Sequence, residues 1–200
     1  ETGAPLGFRQ RGVMLVRGPQ VMGGYLGKPE ATAKVLDADG WFDTGDLGML
    51  LPDGSVVLTG RAKDTIVLSS GENLEPGPLE EALVSSPLVE QVMLVGQDER
   101  QLAALVVPKQ ESLQAWALDQ GCDPGRDLGG RPGDPALLRL LRGELNRLLG
   151  ARVGSRADER LGGVALVEPF SIENGLLTQT LKQRRDRITD RDRTVIEGLY

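Results

Sequence analysis

A change of pattern at Gly60 limits the fold of this chain more than any other feature. Before it, apolar residues come in short β-branched runs bounded by Gly and Pro, at residues 12–17 (GVMLVR) and 55–59 (SVVLT). After it, such runs alternate with helical periodicities. β-Branched side chains fit a pleated surface and Gly or Pro ends it, so the early runs read as strands. A Pro-Asp-Gly turn, Pro52 to Gly54, separates Leu51 from Ser55 and predicts a hairpin over residues 47–59. Residues 1–60 are expected to be mostly β.

Beyond Gly60, residues 65–69 (TIVLS) predict a strand. Pro76 then opens a helix with Leu79, Ala82 and Leu83 on one face. Two strands follow at residues 90–96 and 102–108, then a helix over 111–121 closed by Gly121. Residues 122–134 (CDPGRDLGGRPGD) are rich in Gly, Pro and Asp and predict a flexible loop. Asp134 and Pro135 start a strong helix in which Leu137, Leu138, Leu141, Leu145, Leu148 and Leu149 recur at helical spacing, with Arg139, Arg142 and Arg147 on other faces. A last strand is predicted at 164–170, an extended loop at 171–180 and a terminal helix at 192–200. The order is that of an α/β (α+β) chain, with helices free to cover one face of a small mixed sheet.

The chain has 200 residues, 40% of them apolar, enough for one large or two small domains. It holds no run of about 18 apolar residues and opens on no charged-then-apolar leader, so it is expected to be soluble. Its first residue is Glu1, inside a β-rich region, and the chain is expected to be part of something longer. One cysteine, Cys122, and no histidine leave no internal disulfide, no zinc site of ordinary ligand count and no imidazole base. Any chemistry falls to carboxylates, Lys, Arg or backbone. A net charge of −6 with 4% aromatics argues against a nucleic-acid partner. The tail cations Lys182, Arg184, Arg185, Arg187, Arg191 and Arg193 are interleaved with Asp186, Asp190 and Asp192, the pattern of a solvated helix with paired faces.

Three places could carry chemistry. In residues 39–48 (DGWFDTGDLG), Asp46 could accept from two vicinal ribose hydroxyls at once, or it could merely close a turn onto its own backbone. Arg61 follows the hairpin, whose ends lie close together, so it and Asp46 can face one pocket and grip a ribose or phosphate. A ligand-free surface ion pair is the alternative. Lys182 lies just past a segment rich in Gly and Thr, from which an ammonium could swing onto developing negative charge; without context, a Lys before two Arg residues reads as a surface lysine.

Taken together and in this order, residues 18–33 (GPQVMGGYLGKPEATA), 39–48, 60–81 (GRAKDTIVLSSGENLEPGPLEE) and 174–185 (NGLLTQTLKQRR) resemble the AMP-forming adenylating enzymes. The wording is most similar to their long-chain acyl-CoA synthetase and acyl-carrier-protein synthetase branch. The resemblance implies a fatty acid ligase that attacks the α-phosphate of Mg-ATP with a carboxylate, releases pyrophosphate, and passes the acyl-adenylate to the thiol of CoA or of a carrier protein's phosphopantetheine. It further implies that residues 1–60 end a large N-terminal domain whose remainder is missing, and that residues 61–200 form a mobile C-terminal lid. Under it Asp46 and Arg61 are adenylate ribose ligands and Lys63 is the hinge. Gly71, Glu72 and Asn73 line the pantetheine path in the second step, and Lys182 bridges the substrate carboxylate and α-phosphate in the first.

Several positions depart from the family pattern: Val13 stands in place of a usual Glu, Val67 in place of a second Lys, and Gln179 where long-chain relatives often have Pro, which is expected to loosen the lysine loop. The Ser/Thr/Gly-rich phosphate loop and the ATP and Mg²⁺ residues are not in this sequence. The isolated chain is therefore expected not to form acyl-adenylate. The resemblance places the intact enzyme in the cytoplasm or plastid stroma, with peripheral membrane association. The competing expectation is a non-catalytic module that keeps the lid fold and binds a carrier protein or partner subunit.

Overall fold

The computed structural model describes residues 4–122 and 134–200. The chain divides into two compact units, Glu1–Thr65 and Ile66–Tyr200, where residue 60 was the sequence expectation.

The first unit is a three-stranded antiparallel sheet in the order β1 (Arg11–Val16), β2 (Phe42–Leu50), β3 (Val56–Arg61), with a short helix α1 (Pro29–Ala33) between β1 and β2. The predicted hairpin is present. Gly54 takes a left-handed φ of 84°, its N–H donates to Leu51 O at 2.9 Å, and the Asp53 carboxylate accepts from Ser55 N at 2.9 Å. Strand β2 starts at Phe42, earlier than apolar patterning implied, because ladder bonds use backbone and polar residues 43–46 can join them. None of the fully buried apolar side chains among the described residues belongs to this unit. Val13, Leu15, Val56 and Leu58 instead remain 46–64% exposed. A sheet this apolar and this open is a surface suited to being covered.

In the second unit, β6 (Val89–Val95), β7 (Leu102–Pro108) and β8 (Leu161–Leu166) form a sheet in that order, and the hairpin β4 (Ile66–Val67) and β5 (Asn73–Leu74) stands apart. β7 is antiparallel to β6 and parallel to β8, so the sheet is mixed. All seven residues of β7 are buried, which explains its uninterrupted apolar sequence. Leu102, Ala104 and Val106 join a core built with α2 (Pro76–Val84), α3 (Gln110–Asp119) and α4 (Pro135–Gly150), whereas Ala103, Leu105 and Val107 join a second core with Phe170, Leu176, Leu177 and Ile188. The period-2 alternation of a strand thus feeds two cores.

Helix α4 follows its sequence signals. The Asp134 carboxylate caps it by accepting from Ala136 N at 2.8 Å, and Leu137, Leu141, Leu145 and Leu149 are fully buried along one face. Other expectations need correction. Helices were expected over one face of the sheet, yet the C-terminal segment covers the second face with α5 (Arg185–Arg191) and its neighbours. Its contacts come at irregular spacing, which leaves no periodic trace. The terminal helix is interrupted at Asp192, giving α5 and α6 (Arg193–Glu197). The last strand is Leu161–Leu166 and not residues 164–170, while only Ile66–Val67 of the 65–69 run is strand. Arg142 does not face solvent alone, since its guanidinium donates to Gly162 O on β8. Within the predicted loop at 122–134, residues 123–133 lie outside the described residues.

Candidate functional site

Asp46 and Arg61 sit directly opposite each other on β2 and β3. Arg61 Nε lies 3.0 Å from Asp46 Oδ1, and Arg61 Nη2 donates to Thr44 O at 3.0 Å. The local backbone is held by its own side chains. Asp43 Oδ1 accepts from Gly45 N at 2.8 Å, Thr44 Oγ1 accepts from Asp46 N at 3.0 Å, and the same hydroxyl donates to Met14 O on β1 at 2.8 Å. Gly45 turns with φ 67°, a left-handed value that favours glycine. It is therefore Asp43 that closes the turn, leaving the Asp46 carboxylate to face the guanidinium. Both partners stay more than a third exposed, at 36% for Asp46 and 44% for Arg61. An ion pair that wet contributes at most about 1 kcal/mol, so stability alone does not explain the clamp. Thr44 is a member of this cluster that the sequence did not single out.

Lys63 lies in a single 3-10 turn, Ala62–Asp64, that follows β3 and directly precedes the division between the units. Its side chain is exposed, while Ile66, three residues on, is 6% exposed. Lys63 thus sits where a strand ends and a buried element begins.

Gly71 and Glu72 lie in the turn that joins β4 to β5, and Asn73 is the first residue of β5. Gly71 has φ 87°, its N–H donates to Leu68 O at 2.8 Å, and Leu68 N donates to Glu72 O at 2.9 Å. Open space surrounds the position a Gly71 side chain would take. The turn is tied down on two sides. Ser69 N donates to Glu99 O at 2.8 Å, and Glu72 Oε2 lies 3.1 Å from Arg156 Nη2. Arg156 also grips Asp158, whose hydrogen bond holds the Asp158 carboxyl below its ordinary range and raises the guanidinium above its own. Arg156 gave no signal in the sequence, because its partner Glu72 is 84 positions away.

Lys182 stands on a small hairpin closed by a bridge between Leu177 and Gln183. Thr178 N donates to Lys182 O at 2.8 Å, Lys182 N donates to Thr178 Oγ1 at 3.0 Å, and Leu181 N donates to Thr178 O at 2.9 Å. This backbone is braced, so the end of the segment expected as an extended loop forms a compact turn with an exposed tip. Leu181 holds φ 60° there while 68% exposed. Gln179 occupies the second position of the Thr178–Leu181 turn and is not among the residues with positive φ, which is the setting proline prefers. Gln179→Pro is expected to raise unfolding free energy by about 0.4–1 kcal/mol by restricting the unfolded chain, as read by urea denaturation.

A family model described as the AMP-binding enzyme C-terminal domain matches residues 63–120. The chain is 41% identical over its whole length to the probable acyl-activating enzyme 16, chloroplastic, of Arabidopsis thaliana, covering 28% of that protein. It is 39% identical over its whole length to a chloroplastic long-chain-fatty-acid–acyl-carrier-protein ligase of the same plant, covering 27% of it. Among solved structures, the A domain of carboxylic acid reductase from Segniliparus rugosus, in complex with AMP and a co-purified carboxylic acid, superposes with a TM-score of 0.80. That match has 30% identity over 95% of this chain and 28% of that one. This chain spans little more than a quarter of the length of these relatives.

Fold and motif order together resemble the C-terminal part of an AMP-forming adenylating enzyme. The relatives that the chain matches over its whole length include a probable acyl-activating enzyme and a long-chain fatty acid–acyl-carrier-protein ligase.

Proposed function

We propose that this chain is the C-terminal portion of an ATP-dependent ligase that activates a long-chain fatty acid as acyl-adenylate and transfers the acyl group to a thiol, that of CoA or of an acyl carrier protein. In the first step the carboxylate attacks the α-phosphate and pyrophosphate leaves; in the second the thiol attacks the acyl carbonyl and AMP leaves. The single observation that carries the proposal is the Asp46–Arg61 pair, fixed by strand register, braced by Thr44 and too exposed to be there for stability. Asp46 holds the ribose hydroxyls and Arg61 steadies the carboxylate and the nucleotide. Lys182 neutralises charge between carboxylate and α-phosphate in the first step. The Gly71 turn, with Glu72 and Asn73, gives the slender pantetheine arm a side-chain-free wall in the second.

The open apolar sheet of the first unit suits contact with the rest of a large domain, which also carries most of the nucleotide and Mg²⁺ contacts. Among the described residues no three carboxylate, Cys or His side chains converge as metal ligands. Stroma or cytoplasm, with peripheral membrane contact, goes with this assignment; among the described residues no helix is long and apolar enough to cross a membrane. Of the tail cations, Arg185, Arg191 and Arg193 are paired with Glu80, Asp192 and Asp190.

Asp46→Ala in the ligase containing this chain is expected to raise KM for ATP by roughly 10- to 150-fold, the equivalent of about 1.5–3 kcal/mol for a hydrogen bond to a charged group. An unchanged KM would remove Asp46 from the nucleotide site. Lys63→Pro tests the hinge. Proline disfavours the helical conformation of Ala62 before it and fixes the turn, so thiol transfer from preformed acyl-adenylate should fall about tenfold or more while pyrophosphate exchange survives. Equal loss of both would make Lys63 a general support of the fold.

A further inference from the structure

The segment after Lys182 is fastened to the sheet by side chains that the sequence presents as surface charge. β6 is an edge strand, and an edge leaves backbone donors and acceptors without strand partners. Here they are met by the tail. Gln183 Nε2 donates to Val92 O at 2.9 Å, and Arg185 Nη2 donates to Leu94 O two residues along β6. Glu80, on α2, closes the arrangement: its Oε1 accepts from Leu94 N and from Arg185 Nη1, each at 2.7 Å. Arg185 and Glu80 are 21% and 15% exposed, so this pair is screened far less than a surface one. Gln183 and Arg185 turn to the sheet while Lys182, one residue before, is exposed, as expected of an extended segment whose side chains alternate. Arg184 N also donates to Leu176 O at 2.9 Å, which ties the two arms of the lysine hairpin.

We infer that Arg185, held by Glu80, is a positioning residue for Lys182. It acts by locking the hairpin base onto Leu94, and this rests on Lys182 being the residue that serves adenylation. A guanidinium fork reaches Glu80 and Leu94 O together; an ammonium reaches one of them well. Loss of the lock leaves the hairpin folded but lets its tip wander by an amount that matters, since misplacement by about 1 Å can cost ~100-fold in rate.

The test is a double-mutant cycle on ATP–pyrophosphate exchange in the ligase containing this chain, with amide hydrogen exchange on the same proteins. Arg185→Gln is expected to lower kcat for exchange by about 10- to 100-fold with KM for ATP little changed, and to cost nothing further in a Lys182→Ala background. Faster hydrogen exchange at Leu181 and Lys182, with β7 amides unaltered, should accompany it. Glu80→Gln, which keeps the side-chain shape, should shift kcat the same way, and Arg185→Lys should restore part of it. A loss that adds fully to that of Lys182→Ala, or no loss in either Arg185→Gln or Glu80→Gln, overturns the proposal. If Lys182→Ala itself leaves exchange unchanged, the role of Lys182 fails and takes the catalytic inference with it; the amide exchange then still reports separately whether Arg185 holds the hairpin.

Discussion

Lys182→Ala is expected to lower ATP–pyrophosphate exchange by about 10²- to 10³-fold, the scale seen when one preorganised electrostatic contact to a transition state is removed. Thiol transfer from preformed acyl-adenylate should change little. The reason is positional. Lys182 is exposed at the tip of a hairpin whose backbone is closed by three hydrogen bonds around Thr178, so the ammonium is presented from a fixed base. Of its cationic neighbours, Arg185 is committed to Glu80 and Leu94, and Arg187 reaches back toward Gly175 O. Lys182→Arg should recover part of the loss, because charge returns while the fork fits the point-charge position less well. Exchange that survives Lys182→Ala, or equal loss of both half-reactions, would contradict the assignment.

The second large effect is structural. Leu105→Ala is expected to lower unfolding free energy by about 2–5 kcal/mol, measured by urea denaturation. Leu105 is wholly buried on the central strand β7 and packs in the core formed with Phe170, Leu177 and Ile188. Truncation opens a cavity between the sheet and the segment that bears the lysine hairpin. Val153, fully exposed in the same unit, supplies the contrast, and Val153→Ala should stay within about 0.5 kcal/mol. A small loss at Leu105 would mean that the tail does not depend on this core for its stability.

How much of this was legible differs from residue to residue. The hairpin around Pro52 to Gly54 and the capped helix from Asp134 were readable because turn chemistry and i,i+4 repetition are local. Asp46 and Arg61 were legible as a pair because a hairpin must bring its two arms together. That Asp43 and not Asp46 closes the turn was not legible, since both carboxylates precede a small or apolar neighbour within one short segment. The second core escaped because Phe170, Leu176, Leu177 and Ile188 follow no period. Arg185 was misplaced among solvated charges, as its partner lies 105 positions earlier.

By itself, the sequence determined the type of nearly every long element and the family that the chain resembles, because periodicity, turn residues and motif order are properties of neighbours along the chain. Only the tertiary structure decided which of several identical charges are committed to the fold and which are left to act. Arg156 meets Glu72 across 84 positions and Arg185 meets Glu80 across 105. Whether a charge is paired depends on distances in space, and composition is silent about those.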